Sequence, residues 1–149
     1  MSGLAKPFLA HSFGVHVDFN WLTRFQLHRR VNCILYLNKD WDESYGGHLE
    51  LWNFDRTECV AKILPIFNRM ACFTTSDFSF HGHPDPLTCP EWRSRQSLAL
   101  YYYTVTRPAH EISEAHSTIY KARPQDPQDI EIEELRRQRA KGRLIDSVT

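Results

Sequence analysis

The feature that most constrains this chain is a succession of short apolar runs, each closed by turn residues, with no helical periodicity ahead of Pro108. FGVHVDFN at 13–20 alternates in the manner of a strand, and VNCILYLN at 31–38 is apolar enough for a buried one. Trp21 to Arg30, between them, is polar and basic. KDWDESYGG is turn material, and its Gly46-Gly47 pair permits a tight bend or a close backbone approach. HLELWN at 48–53 alternates, DRT at 55–57 reads as a hairpin turn, and ECVAKILP and RMACFTT supply two further strands. SDFSFHGHPDPLTCPEWRS, with three prolines, reads as loop, and RQSLALYYYT at 95–104 as a last long strand. Short strands joined by turns predict a mainly β fold, a sandwich or jelly roll.

After Pro108 the character changes. PQDPQDIEIEELRRQRAKGR is poor in apolar residues and dense in charge of both signs, with i,i+4 pairs that allow a solvated helix from Gln128 to Lys141. The expected organisation is a β domain over 1–108 and a charged tail, helical in part or disordered, over 109–149. Eighteen basic residues balance eighteen acidic ones, so the chain lacks the basic excess that nucleic-acid or anionic-membrane binding needs. The four cysteines (33, 59, 72 and 89) form no C-x-x-C pair, and Cys33 and Cys72 lie in apolar runs, a pattern suited to a reducing compartment. No apolar run approaches the roughly 18 residues of a membrane span, and the N-terminus has no signal-like apolar stretch. A cytoplasmic location is expected; the sequence leaves oligomeric state open.

The chemistry is carried by His16-x-Asp18 on a strand and by His81 in a distant loop. Side chains two apart on a strand share a face, so His16 and Asp18 can grip one ion together. A third ligand from elsewhere completes a two-histidine, one-carboxylate face, the arrangement of non-haem Fe(II) oxygenases.

Around that triad the sequence resembles the 2-oxoglutarate/Fe(II)-dependent dioxygenases, and among them the prolyl 4-hydroxylase-like enzymes, including the hypoxia-factor prolyl hydroxylases and their bacterial relatives. The carriers are VNCILYLNKDWDESYGGHLELW, PIFNRMACFTTSDFSFHGH and RQSLALYYY, in the family's order, over roughly residues 13–107. The resemblance implies a double-stranded β-helix with His16, Asp18 and His81 as iron ligands and catalytic residues. It implies that Tyr36 and Arg95 hold the far carboxylate of 2-oxoglutarate, with Ser97 of the R-x-S motif in support. Asn32, on the face of Tyr36, joins them as a cofactor-binding candidate. It further implies Fe(II) as cofactor, 2-oxoglutarate as cosubstrate and ascorbate as a candidate reductant. The expected reaction is hydroxylation of a C–H bond, first of all on a prolyl residue of a peptide or protein. A small-molecule or sugar-linked substrate, or a non-catalytic jelly-roll module, are the rival readings.

Two assignments have competitors. His83 competes with His81, and Arg93 with Arg95; the family pattern favours His81, and the R-x-S spacing favours Arg95. His28 and His48 read as surface or rim residues, and the bulky Trp92 stands where relatives have a small residue. Only fifteen residues precede His16, and they do not resemble the family's leading strand. The expectation is a chain truncated at its N-terminus, open on that side, with poorly coupled turnover.

Overall fold

The computed structural model describes residues 13–126. The leading residues 1–12 and the expected helix at 128–141 lie outside them. Among the described residues there are nine strands: β1 (Phe13–Val17), β2 (Trp21–Leu22), β3 (Leu27–Tyr36), β4 (Leu49–Trp52), β5 (Cys59–Ile63), β6 (Met70–Thr74), β7 (His81–His83), β8 (Ser97–Thr104) and β9 (Ile119–Tyr120). Among the described residues the only helical turns are two short 3-10 pieces, at Glu43–Tyr45 and Ala109–Glu111. None is long and apolar enough to cross a membrane.

The strands form two antiparallel sheets facing each other, a jelly roll as expected. One runs β5-β4-β7-β1-β9; in the other, β3 is flanked by β2 and β6 on one side and by β8 on the other. Alternation sorts their side chains. Tyr36, Leu49 and Ala71 are buried between the sheets, with Ile34, Leu51, Ile63 and Phe73 packed on them. Val15, Val17, Trp52 and Phe80 form a second core on the opposite side of the first sheet. A fully buried aliphatic or aromatic side chain contributes about 1.5–3 kcal/mol. The two clusters together therefore hold sheets whose strands are individually too short to persist.

Two elements depart from the sequence expectations. His81 lies in a strand, not a loop. β7 has three residues and prolines close behind it, so its order comes from pairing with β1 on one side and β4 on the other. Beyond Pro108, residues of the expected tail pack on the barrel as far as they are described. Ile119 and Tyr120 pair with Val17 and His16, and Asn20 donates to Ser113 Oγ and to the Glu114 carbonyl. Arg123 then lays its guanidinium over the Trp52 ring.

Candidate metal centre and cosubstrate pocket

β1 and β7 are neighbours, with His16 paired directly to His81. Both imidazoles therefore point into the barrel side by side, their ring centroids 4.3 Å apart. Gly82 permits this closeness: a Cβ there would stand 2.7 Å from the Phe13 carbonyl oxygen and 2.9 Å from that of Gly14. Asp18, one residue beyond the end of β1, shares the parity of His16. One ligand atom from each of His16, Asp18 and His81 lies within 4.8 Å of the others. The carboxylate oxygens approach His16 Nε2 at 3.7 Å and His81 Nε2 at 3.5 Å.

Each imidazole is fixed through its other nitrogen. His16 Nδ1 donates to the Gly14 carbonyl at 2.9 Å, and His81 Nδ1 donates to the Ser79 carbonyl at 2.8 Å. With the proton held on Nδ1, both Nε2 lone pairs face Asp18, the tautomer that metal ligation requires. Burial lowers the His16 pKa to about 3, with the neighbouring His81 adding to the effect. Burial also lowers that of His81. Both rings are thus neutral near pH 7. Asp18 loses solvation on burial, which opposes its charge; attraction to His81 in its protonated form, to Arg29 and to protonated His16, with the Asn32 hydrogen bond, outweighs that and holds it below the usual carboxylate range. Two neutral nitrogen donors and one carboxylate, on one inward face, fit a divalent iron with positions left open.

Arg29 is the residue the sequence reading missed. It is 3% exposed, donates through Nε to Asn32 Oδ1 at 3.0 Å, and places Nη2 3.2 Å from Asp18 Oδ2. Asn32 in turn donates to the same Oδ2 at 2.5 Å. Asn32, a cofactor-binding candidate in the sequence, thus partners the Asp18 carboxylate. These two donors occupy Oδ2 and leave Oδ1 turned to His16.

Tyr36 is fully buried, and half-buried Arg95, just ahead of β8, reaches toward it. Arg95 Nε donates to the Gly47 carbonyl at 2.7 Å, and Nη2 stands 3.5 Å from the Tyr36 hydroxyl. Gly47, at φ 72°, is needed twice: for its backbone, and because a Cβ would meet Arg95 Cδ at 2.9 Å. Burial lowers the Arg95 pKa and raises that of Tyr36. Among the described residues no carboxylate pairs with Arg95. A half-buried guanidinium without an anion is costly to keep, and an incoming carboxylate relieves it. His83, stacked on Phe13, is close enough to Arg95 to feel its charge, and its buried Nδ1 has no hydrogen-bond partner. An unpaired cation and an orphaned polar atom in one interior fit a dicarboxylate cosubstrate.

The competitors fall elsewhere. His83 does not join the triad. Arg93 donates to the carbonyls of Lys39 and Asp40 and lies over the Trp41, Tyr45 and Trp92 rings, on the outside of the turn. Ser97 opens β8 opposite Tyr36 and is exposed; among the described residues its hydroxyl bonds neither Tyr36 nor Arg95. His28 packs on Trp21 and His48 faces Glu43, both outside the triad. Trp92 is 79% exposed.

The fold and the triad agree with the comparisons to known proteins. Residues 7–103 match the family model described as the 2OG-Fe(II) oxygenase superfamily, well over half of the chain. The chain belongs to that superfamily, which implies Fe(II) and 2-oxoglutarate. Within it the chain is similar to Prolyl 3-hydroxylase OGFOD1 of Mus musculus, 35% identical over 86 residues. That stretch is 54% of this chain but only 15% of the mouse protein's length. No solved structure matches the chain significantly.

Proposed function

We propose that this chain is a 2-oxoglutarate- and Fe(II)-dependent dioxygenase that hydroxylates a prolyl residue of a peptide or protein. The observation that carries the reading is the joint placement, in one barrel, of the His16–Asp18–His81 face and the anion-free Arg95 beside Tyr36. His16 and His81 would hold the iron through Nε2, and Asp18 through its carboxylate. Bound there, iron supplies the activation of dioxygen that couples oxidation of 2-oxoglutarate to succinate with insertion of one oxygen atom into a C–H bond. The chain's own residues do the rest. The Gly14 and Ser79 carbonyls keep the imidazoles in the ligating tautomer. Arg29 and Asn32 fix the rotation of Asp18. Arg95 and Tyr36 receive the far carboxylate, orienting the cosubstrate toward the metal. Ile34, Leu51 and Phe73 make the surrounding wall apolar, which keeps water from the reacting centre.

The prolyl assignment is supported by the similarity to a protein named as a prolyl 3-hydroxylase. Its test is an assay of the protein loaded with Fe(II) without oxygen, then given 2-oxoglutarate, ascorbate, prolyl peptides and oxygen. Succinate should rise with peptide, and mass spectrometry should find hydroxyproline, with the ring position read from the product. Peptide-independent succinate formation with unmodified proline would remove the prolyl substrate. Absence of any succinate from iron-loaded protein would remove the dioxygenase itself.

A further inference from the structure

We propose that Cys33 and Cys72 form a dithiol site on the outer face of the barrel, oxidised to a cross-strand disulfide by small disulfides of the glutathione class. The two residues are direct partners in the antiparallel β3–β6 ladder. The flanking backbone bonds Tyr36 N–H to Arg69 carbonyl and Thr75 N–H to Arg30 carbonyl mark the even-numbered residues of β3 as its hydrogen-bonded pairs. Cys33–Cys72 is therefore a non-hydrogen-bonded pair, the type whose Cα atoms stand about 4.5 Å apart and whose side chains come closest. That spacing lies at the short end of the range a disulfide accepts. The thiols already meet, with the Cys72 Sγ–H donating to Cys33 Sγ at 2.8 Å. Cys72 is exposed and Cys33 half-buried, so one thiol is open to a reagent and its partner waits behind it. Cys59 and Cys89 differ: each turns its thiol to a backbone carbonyl, of Ala61 and Arg93 respectively.

The chemistry runs in two exchanges. The Cys72 thiolate attacks a sulfur of the small disulfide, forming a mixed disulfide and releasing one small thiolate. Cys33, as thiolate, then attacks Cys72 Sγ and releases the second. The two protein thiols are oxidised, the reagent is reduced to two thiols, and the protons of Cys33 and Cys72 pass to the two thiolates released. Cys72 is the more exposed thiol and attacks first, and half-buried Cys33, in contact with it, resolves the mixed disulfide. The new bond closes a loop spanning 39 positions and ties β6 to β3, the strand that carries Arg29, Asn32 and Tyr36.

The test incubates the whole chain with oxidised glutathione and maps disulfides by mass spectrometry without reduction. The expected product is one cross-linked peptide joining positions 33 and 72, two hydrogens lighter than the thiols, with a raised melting temperature that dithiothreitol reverses. Cys33→Ser should stop at a glutathione adduct on Cys72, and Cys72→Ser should lose the reaction at this site. Phenylarsine oxide, which bridges paired thiols, should bind the reduced wild type one-to-one and neither variant. A stable glutathione adduct on Cys72 in the wild type, or cross-links through Cys59 or Cys89 in equal yield, would overturn the assignment.

Discussion

Arg29 lies sandwiched between two rings, 4.5 Å from the Phe19 centroid and 3.9 Å from that of Tyr101, and from there reaches Asp18. It is the fixed cation of a carboxylate that would also serve a metal. Removing one member of a buried ion pair leaves an uncompensated charge, a loss of about 3 kcal/mol. Arg29→Met should therefore lower the melting temperature of the metal-free protein markedly. Mn(II) should restore much of it, because the divalent ion supplies the positive charge that Asp18 has lost. A variant that melts like the wild type without metal would show that Asp18 does not depend on this partner. At the other end of the pocket the two arginines separate cleanly. Arg95→Ala should weaken binding of 2-oxoglutarate to the Mn(II)-loaded protein by about 100-fold, roughly 3 kcal/mol, the usual cost of truncating a buried charge partner. Arg93→Ala should leave that affinity unchanged, since its fork is committed to the Lys39 and Asp40 carbonyls. Titration calorimetry of both variants decides the matter, and equal losses would return Arg93 to the pocket.

β7 shows how much a short element can carry. It positions His81 only because Gly82 lets its backbone lie against β1. Gly82→Ala should push the strands apart, cost about 1–3 kcal/mol as overpacking does, and weaken Mn(II) binding although no ligand is touched. Unchanged metal affinity in a correctly folded Gly82→Ala protein would contradict the role given to this contact. The same strand marks the limit of legibility. β4, β5, β6 and β8 fall where alternation or an apolar run announced them, and so does β3 from Val31 on, because each carries its own pattern; the start of β3, Leu27–Arg30, lies in the stretch read as polar and basic. β7 and β9 have three and two residues and hold no pattern; their neighbours in space define them. In the site, His16 and Asp18 were legible from spacing, while His81, Tyr36 and Arg95 were read through resemblance. Arg29 was not, for a physical reason. A bulge between Arg29 and Val31 slips the register against β8, so Arg29 and Asn32, three positions apart, serve one carboxylate where regular alternation would separate them.

At the scale of the molecule, the interior histidines make stability depend on pH in the metal-free state. His16 and His83 have pKa values lowered to about 3 and about 4, and His81 is lowered too, by burial in each case. Between those values and the unfolded value of 6.5 the unfolded chain binds more protons than the folded one, so stability falls as pH falls. Each histidine kept neutral contributes a slope of about 1.4 kcal/mol per pH unit in that window, and Asp18, also lowered, adds to the loss at the acid end. Melting curves from pH 7 to pH 4 should shift steadily down, and added Mn(II) should lose its stabilising effect as protons displace it. A melting temperature flat across that range would mean the rings are solvated. The pairing of β1 with β7 has a consequence for how the protein comes to hold its metal. His16 and His81 come from strands far apart in the sequence, β1 and β7, and no local segment brings two of the three donors together except the weak His16–Asp18 pair. Chelation therefore waits on a long-range strand pairing, the kind of contact that forms slowly during folding. A chain emerging from synthesis would hold redox-active iron poorly until these two strands meet, which makes iron capture a consequence of folding rather than its nucleus.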